Sequence, residues 1–438
     1  MNAAESTLLQ DVAPPLGWFL LCCAAANLVA AGRALRCSAV VRGGAWLALT
    51  VAFAVLGGLA LSGRPVGLPE GLKDLIDAAA TPWSVTLAAY VGLFAVCWQR
   101  RFFVCPAVAW AILNAALLLF GLAMPDEDFA AVAAAPDNLP IVAMVFLLGF
   151  FLWLAAAQAV ETDRRRATAE PAVEKTLADN ILVWPDLVYI ELIAALLLSA
   201  ALVAWSLLVR APLEQPANPA VTPNPSKAPW YFLGLQELLG YADAWWIGVS
   251  VPCLILLGLA AIPYLDRNPQ GSGEYSLAGR RFAAAIFLYG FLLLWILPIL
   301  IGTFMRGPNW SFFGPFEARD PQKITAETNV QLSEWYWTRA LGREPPQAPR
   351  DAPPLARLGR ALWREWLGLT LLAAYLVGLP WALGRTWLRG YRRRLGWVRY
   401  WLAALLLLLM LTLPLKMVLR WGFHISYVVA MPEYSLSF

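Results

Sequence analysis

Apolar residues in this chain neither alternate nor form narrow stripes. They come in nearly unbroken runs separated by polar segments. A helix that crosses a hydrocarbon core of about 30 Å needs roughly 20 such residues. Ten stretches meet that test, approximately 16–34, 44–63, 82–99, 105–124, 139–160, 186–208, 245–265, 282–303, 365–384 and 396–418. The pattern predicts an all-α polytopic transmembrane bundle of about ten helices plus short interfacial ones. Residues 64–81, with Glu70, Lys73, Asp74 and Asp77, read as one of the interfacial helices, and 125–138 is an acidic connection.

The polar segments set the orientation. Arg33, Arg36 and Arg42 follow the first run, and Arg100 and Arg101 follow the third. Arg164, Arg165, Arg166 and Lys175 follow the fifth, and Arg267, Arg280 and Arg281 the seventh. Arg385, Arg389 and Arg392 to Arg394 follow the ninth. Every odd-numbered run therefore exits into a basic loop, and such loops stay in the cytoplasm. Both termini are then expected on the outer, periplasmic side of a bacterial inner (plasma) membrane. The long loop 304–364 does not vote, because long loops translocate regardless of charge; its Trp335 and Trp337 read as anchors at the headgroup layer. Five regions result: an N-terminal five-helix block (1–160), a cytoplasmic linker (161–182), a central region (183–310), a long aromatic and Pro-rich outer loop (311–364) and a C-terminal helix pair with tail (365–438).

Composition agrees. The chain is 60% hydrophobic and 14% charged, against about 45–50% and 25% for soluble domains, so the surplus apolar surface faces lipid. Its 22 Trp suit interfacial belts. A net charge of +4 gives no reason to expect nucleic acid. Met1 to Gly17 carries Glu5 and Asp11 but no Lys or Arg; without a positive n-region, the first run is expected to remain in the mature protein.

Several chemistries are missing. The six cysteines form no Cys-x-x-Cys or Cys-x-x-Cys-His, which excludes covalent c-type haem and speaks against zinc. His424 is the only histidine, and a bis-histidine haem needs two facing imidazoles. No ligand set for a metal is predicted. There is no Gly-x-Gly-x-x-Gly or Walker loop for a nucleotide. The middles of the ten runs hold almost no ionisable residue, although such residues mark proton and ion pathways. Asp186 and Glu191 lie at the cytoplasmic end of the sixth run.

What stands out is Asn224-Pro225-Ser226-Lys227-Ala228-Pro229-Trp230-Tyr231-Phe232-Leu233-Gly234-Leu235-Gln236-Glu237-Leu238-Leu239. Pro225 and Pro229 stop regular helix before them, and Trp230 to Leu239 are spaced for about three amphipathic turns lying at the outer membrane face. With the Trp184-Pro185-Asp186 start of the sixth run, Pro263-Tyr264-Leu265-Asp266 after the seventh and Gly302-Thr303-Phe304 after the eighth, this stretch resembles the C-terminal half of cytochrome b, the part that is subunit IV in photosynthetic membranes. The resemblance covers residues 183–310.

That resemblance implies a part in a quinol:cytochrome c oxidoreductase. Quinol would dock beneath the Trp-Tyr helix on Pro229, Trp230 and Tyr231, and Asp186 would border a second, cytoplasmic-side quinone site. The haem b and the Rieske iron–sulfur cluster would sit on partner subunits: a histidine-containing cytochrome b chain and a Rieske protein, with a c-type cytochrome downstream, in a lipid-embedded and dimeric complex. The family's Pro-Glu-Trp-Tyr is Ala228-Pro229-Trp230-Tyr231 here, so Pro229 stands where the family has its proton-accepting Glu. Glu237, about two helical turns on, is the nearest carboxylate and the expected substitute acceptor. The N-terminal block sits where a fused cytochrome b would carry its haem bundle, yet it has no histidine. Two other readings stay open on the residues: a quinone-binding anchor of a different respiratory oxidoreductase, and a structural or transport membrane protein.

Overall fold

The computed structural model describes residues 3–177, 182–208, 216, 218–265, 273–324, 328–347, 349, 351–434 and 436–438. In chain order the principal helices are α1 (Ala3–Arg36), α2 (Val40–Leu61), α3 (Glu70–Ala79), α4 (Pro82–Trp98), α5 (Pro106–Ala123) and α6 (Leu139–Ala167). They continue with α7 (Val183–Leu208), α8 (Trp230–Leu239), α9 (Trp246–Tyr264), α10 (Arg281–Met305), α11 (Trp366–Arg385) and α12 (Trp397–Phe423). Among the described residues nine helices are long and apolar enough to cross a membrane, and the α3–α4 pair, bent by 81°, gives up to ten. The chain is an all-α polytopic membrane protein. Asp266 and Arg267, used above for resemblance and orientation, lie outside the described residues.

The α3–α4 bend has a local cause. Thr81 accepts from the Ser84 amide (3.2 Å) while Ser84 Oγ accepts from the Thr81 amide (3.0 Å), and Pro82 occupies the first helical position. This reciprocal cap starts a new helix rather than continuing the old one. Residues 64–81 thus contain the short amphipathic helix that their charges predict.

Two of the centres of packing among the described residues join spans of the N-terminal and central regions. In the first, α1 and α2 form a close hairpin around Leu16, Leu20, Phe53 and Ala60. Gly17 and Gly57 permit it: a Cβ on Gly57 would lie 3.1 Å from both the Gly17 carbonyl and Leu21. Small residues are what let helices approach so closely in lipid. In the second, Leu293, Leu297, Ile301 and Met305 of α10 pack against Val85, Ala89, Tyr90 and Leu93 of α4. This contact joins the N-terminal block to the central region across the 161–182 linker.

Segments that follow even-numbered spans meet one another. The Leu68 amide donates to Leu122 (3.1 Å), Lys73 pairs with Asp126 (2.8 Å), and Asp77 accepts from the Phe316 amide (2.9 Å). Asn224 pairs with Asn309, and the Val330 amide donates to His424 (2.9 Å). On the opposite face, Arg166 and Lys175 pair with Glu274, and Asp163 accepts from Ser276 and the Ala278 amide (both 2.8 Å). Connections thus segregate to two faces, as alternating spans require. Trp337 is not a free anchor: it is buried and donates from Nε1 to the Arg364 carbonyl (3.0 Å), whereas Trp335 stays exposed.

Candidate functional site around the Trp230–Leu239 helix

The lead-in to α8 is folded by side-chain amides. Gln236 reaches back along its own helix, accepting from the Ala228 amide (2.7 Å) and donating to the Ser226 carbonyl (2.8 Å). Asn224 and Asn309 bond reciprocally, Asn224 Nδ2 to Asn309 Oδ1 (2.9 Å) and the Asn309 amide to Asn224 Oδ1 (2.7 Å). The segment before α8 is thereby fastened to the turn that follows α10. Pro229 sits at the N-cap and denies regular helix upstream.

α8 is unevenly covered. Leu233, Gly234, Glu237 and Leu238 are buried. Gly234 lies so near α10 that a Cβ there would stand 3.0 Å from Ile299 and 3.2 Å from the Trp295 carbonyl, and Gly302 of α10 receives Leu233 in the same way. The first turn is uncovered: Trp230, Tyr231 and Phe232, each about 100° round the axis from the last, are 41%, 50% and 54% exposed. Three large aromatics in sequence thus fan around the start of the helix without a covering wall among the described residues.

Beneath the helix, Glu237 is completely buried and grips Arg306 through both oxygens, Nε to Oε2 at 2.9 Å and Nη2 to Oε1 at 2.8 Å. Tyr241, one turn on, donates to Glu237 Oε1 (3.1 Å). Burial, and after it the charge of Glu237, push the Tyr241 phenol well above its ordinary value, so it remains a donor. The Arg306 guanidinium stacks over the Phe312 ring at 3.6 Å and donates to the Trp310 carbonyl. A bidentate Arg–carboxylate pair is among the stronger polar contacts available, and it locks α8 to the end of α10.

Lys227 approaches the same place. The residue is exposed as a whole, but its ammonium donates to the Thr303 carbonyl (2.9 Å). Desolvation there, then Arg319 and Arg306 nearby, lower it to about 8, against the opposite pull of Glu237. Arg420 of α12 donates to the Gly240 carbonyl just past α8, so the C-terminal pair also braces the site.

The structure brings Pro229, Trp230, Tyr231 and Glu237 onto one short helix but not side by side: the aromatics are exposed at its start and the carboxylate is buried two turns on. Asp186 is exposed at the far end of α7, about 33 Å along the helix from Leu208. His424 is exposed, and its Nδ1 lies 3.3 Å from Thr328 Oγ1. Sequence reasoning missed Arg306 and Tyr241. Both leave a signal: Tyr241 is four residues after Glu237, the spacing that meets on a helix, and Arg306 directly ends an apolar run, where a charge needs a partner.

No solved structure matches the chain. Residues 216–305 match the cytochrome b(C-terminal)/b6/petD family, an interval that contains α8, α9 and most of the Glu237–Arg306 frame and stops one residue short of Arg306. The segment that carries the surface helix is therefore a cytochrome b C-terminal-type region, set within a longer polytopic membrane chain.

Proposed function

We propose that this chain is a non-haem membrane subunit of a cytochrome bc-type quinol:cytochrome c oxidoreductase and supplies part of its outer-side quinol oxidation site. The observation that carries this reading is the coincidence of the family match at 216–305 with a rigid surface helix whose Trp230–Tyr231 edge is uncovered. A quinol ring is apolar on its faces and needs hydrogen-bond partners at its hydroxyls. An aromatic edge at the membrane interface meets the first need, and the polar lead-in to α8 lies beside it. Oxidation of one quinol to quinone releases two electrons and two protons. Haem b and a Rieske cluster on partner subunits supply the one-electron acceptors, and the protons leave to the periplasmic side. This chain's single histidine, His424, cannot supply the two facing imidazoles that a bis-histidine haem needs.

In this reading Glu237 takes a proton only after Arg306 gives up one of its two bonds to the carboxylate, so the pair acts as a gate and a brace together. Asp186 is kept as a candidate for a cytoplasmic-side quinone contact. Affinity purification of the full chain from its own membranes tests the proposal. The expected product contains a histidine-bearing haem b chain and a Rieske signal, and it reduces a c-type cytochrome with quinol. A preparation in which the chain is abundant and neither redox protein accompanies it would overturn it.

A further inference from the structure

The face opposite α8 carries a groove that the quinol reading does not use. It opens between the C-terminal end of α1 and the starts of α2 and α5, with a volume of about 630 Å³. Arg33 and Arg42 line it, with Trp46 and Trp110, and no carboxylate does. Among the described residues neither arginine has an ion-pair partner. A second cavity of about 280 Å³ shares Ala26 and Trp110 with the first and runs on to Phe19 and Leu117. From Arg33 to Phe19 the α1 axis advances about 21 Å, somewhat more than one leaflet of a hydrocarbon core about 30 Å thick.

The inner reach of this track presents hydrocarbon. Its polar side chains are consumed internally: Asn27 Nδ2 donates to the Cys23 carbonyl (3.0 Å) and to Asn114 Oδ1 (2.5 Å). Trp110 Nε1 donates to Asn27 Oδ1 (3.0 Å), and Asn114 Nδ2 to the Trp110 carbonyl (2.8 Å). A neutral quinone head would find no free partner deep in the groove and no use for two cations at its mouth. A phosphate diester on an acyl chain satisfies both ends, with the charge at headgroup level on the arginines and the tail along α1 and α5.

We propose that the α1–α2–α5 groove is a binding site for an anionic phospholipid, with Arg33 and Arg42 holding the phosphate and the Ala26–Phe19 track taking one acyl chain. Basic pockets between spans on the cytoplasmic side recognise such headgroups, each cation contributing about fivefold.

The test uses the full chain, delipidated and returned to nanodiscs of phosphatidylcholine with or without phosphatidylglycerol of the same acyl chains, with retained lipid counted by native mass spectrometry. Wild type is expected to keep phosphatidylglycerol selectively. The Arg33→Gln/Arg42→Gln double variant should bind it about thirty-fold more weakly. Arg36→Gln, which removes an equally basic residue outside the groove lining, should stay within twofold. Should the double variant not fold, Ala26→Phe fills the track with the arginines intact and should lose the lipid as well. Full retention by the double variant or by Ala26→Phe, or an equal loss in Arg36→Gln, would overturn the site.

Discussion

Spans α1 and α10 bury 39% and 33% of their apolar windows within the chain, whereas α7 and α9 bury 0% and 6%. α10 and α7 are almost equally apolar, so composition does not explain the difference. α1 is matched to α2 by Gly17 and Gly57, and α10 to α4 and α8 by Leu297, Gly302 and their neighbours. Among the described residues α7 buries none of its window and α9 little beyond Ile247 at its start. Lipid offers no hydrophobic force between helices, so association depends on shape and polar contacts. A helix that is apolar all round suits either lipid or a neighbour. These two spans flank the uncovered aromatics of α8 in sequence, and our reading places the haem-bearing partner against them.

The largest expected effect divides the buried from the uncovered side of α8. Glu237→Gln leaves Arg306 as an uncompensated buried charge, which costs about 3–5 kcal/mol. Thermal denaturation of the purified complex should show this, and Glu237→Gln/Arg306→Gln should recover most of it, since replacing both charges is often near neutral. The sequence alone leads one to expect Glu237→Gln to slow turnover with assembly intact; the Arg306 pair makes stability the first casualty. A single variant as stable as wild type would show that the pair holds nothing. Asp186→Asn, on the exposed end of α7, should stay within about 0.5 kcal/mol.

Next comes the hairpin. Gly57→Leu forces a side chain against the Gly17 backbone and should cost about 1–3 kcal/mol. Leu197→Ala on α7 should cost the isolated chain less than about 0.5 kcal/mol, yet reduce the haem partner recovered with it. Equal effects of the two on the isolated chain would erase the contrast between covered and uncovered spans.

How much of this was legible beforehand depends on range. The spans follow from run length, which needs no tertiary information. The α3–α4 bend was half legible: the polar run 64–81 marked an interfacial helix, but the Thr81–Ser84 cap that turns it appears only in the fold. The two faces followed from arginine spacing, and contacts such as Arg166–Glu274 and Lys73–Asp126 are the same segregation seen in three dimensions. The α8 helix was set by Pro229 and the ten residues after it. Its partner was not legible, because Arg306 lies 69 residues from Glu237 and sequence distance carries no hint of a bidentate pair. Trp337 misled for a similar reason: an interfacial aromatic and a buried donor to Arg364 look alike until the loop is folded.

Smaller effects concern the site itself. Trp230→Ala removes part of the uncovered edge and should lower quinol oxidation up to about tenfold, with little change in thermal stability, read from the rate of c-type cytochrome reduction. A loss of stability without loss of rate would move Trp230 to the packing side of the comparison. Lys227 gives the slightest and most specific signal. Its folded value, about 8, lies below its ordinary 10.5. Between those pH values the unfolded chain holds a proton that the folded chain has lost, so stability from this residue rises with pH across the window. Solvent screening keeps the rise under about 1 kcal/mol. Lys227→Met should flatten it; an unchanged pH profile would place the ammonium in open water.

The central claim is that the uncovered side of α7, α8 and α9 is completed by a haem-carrying neighbour. A photo-crosslinking residue at Leu197 or Ile255, activated in intact membranes, tests it most directly, with one at the fully buried Phe53 as the reference. The account predicts a crosslinked band from the first two positions that stains for haem and contains a histidine-bearing chain, and none from Phe53. Crosslinks from Leu197 and Ile255 to lipid alone, or to a chain without haem, would contradict it.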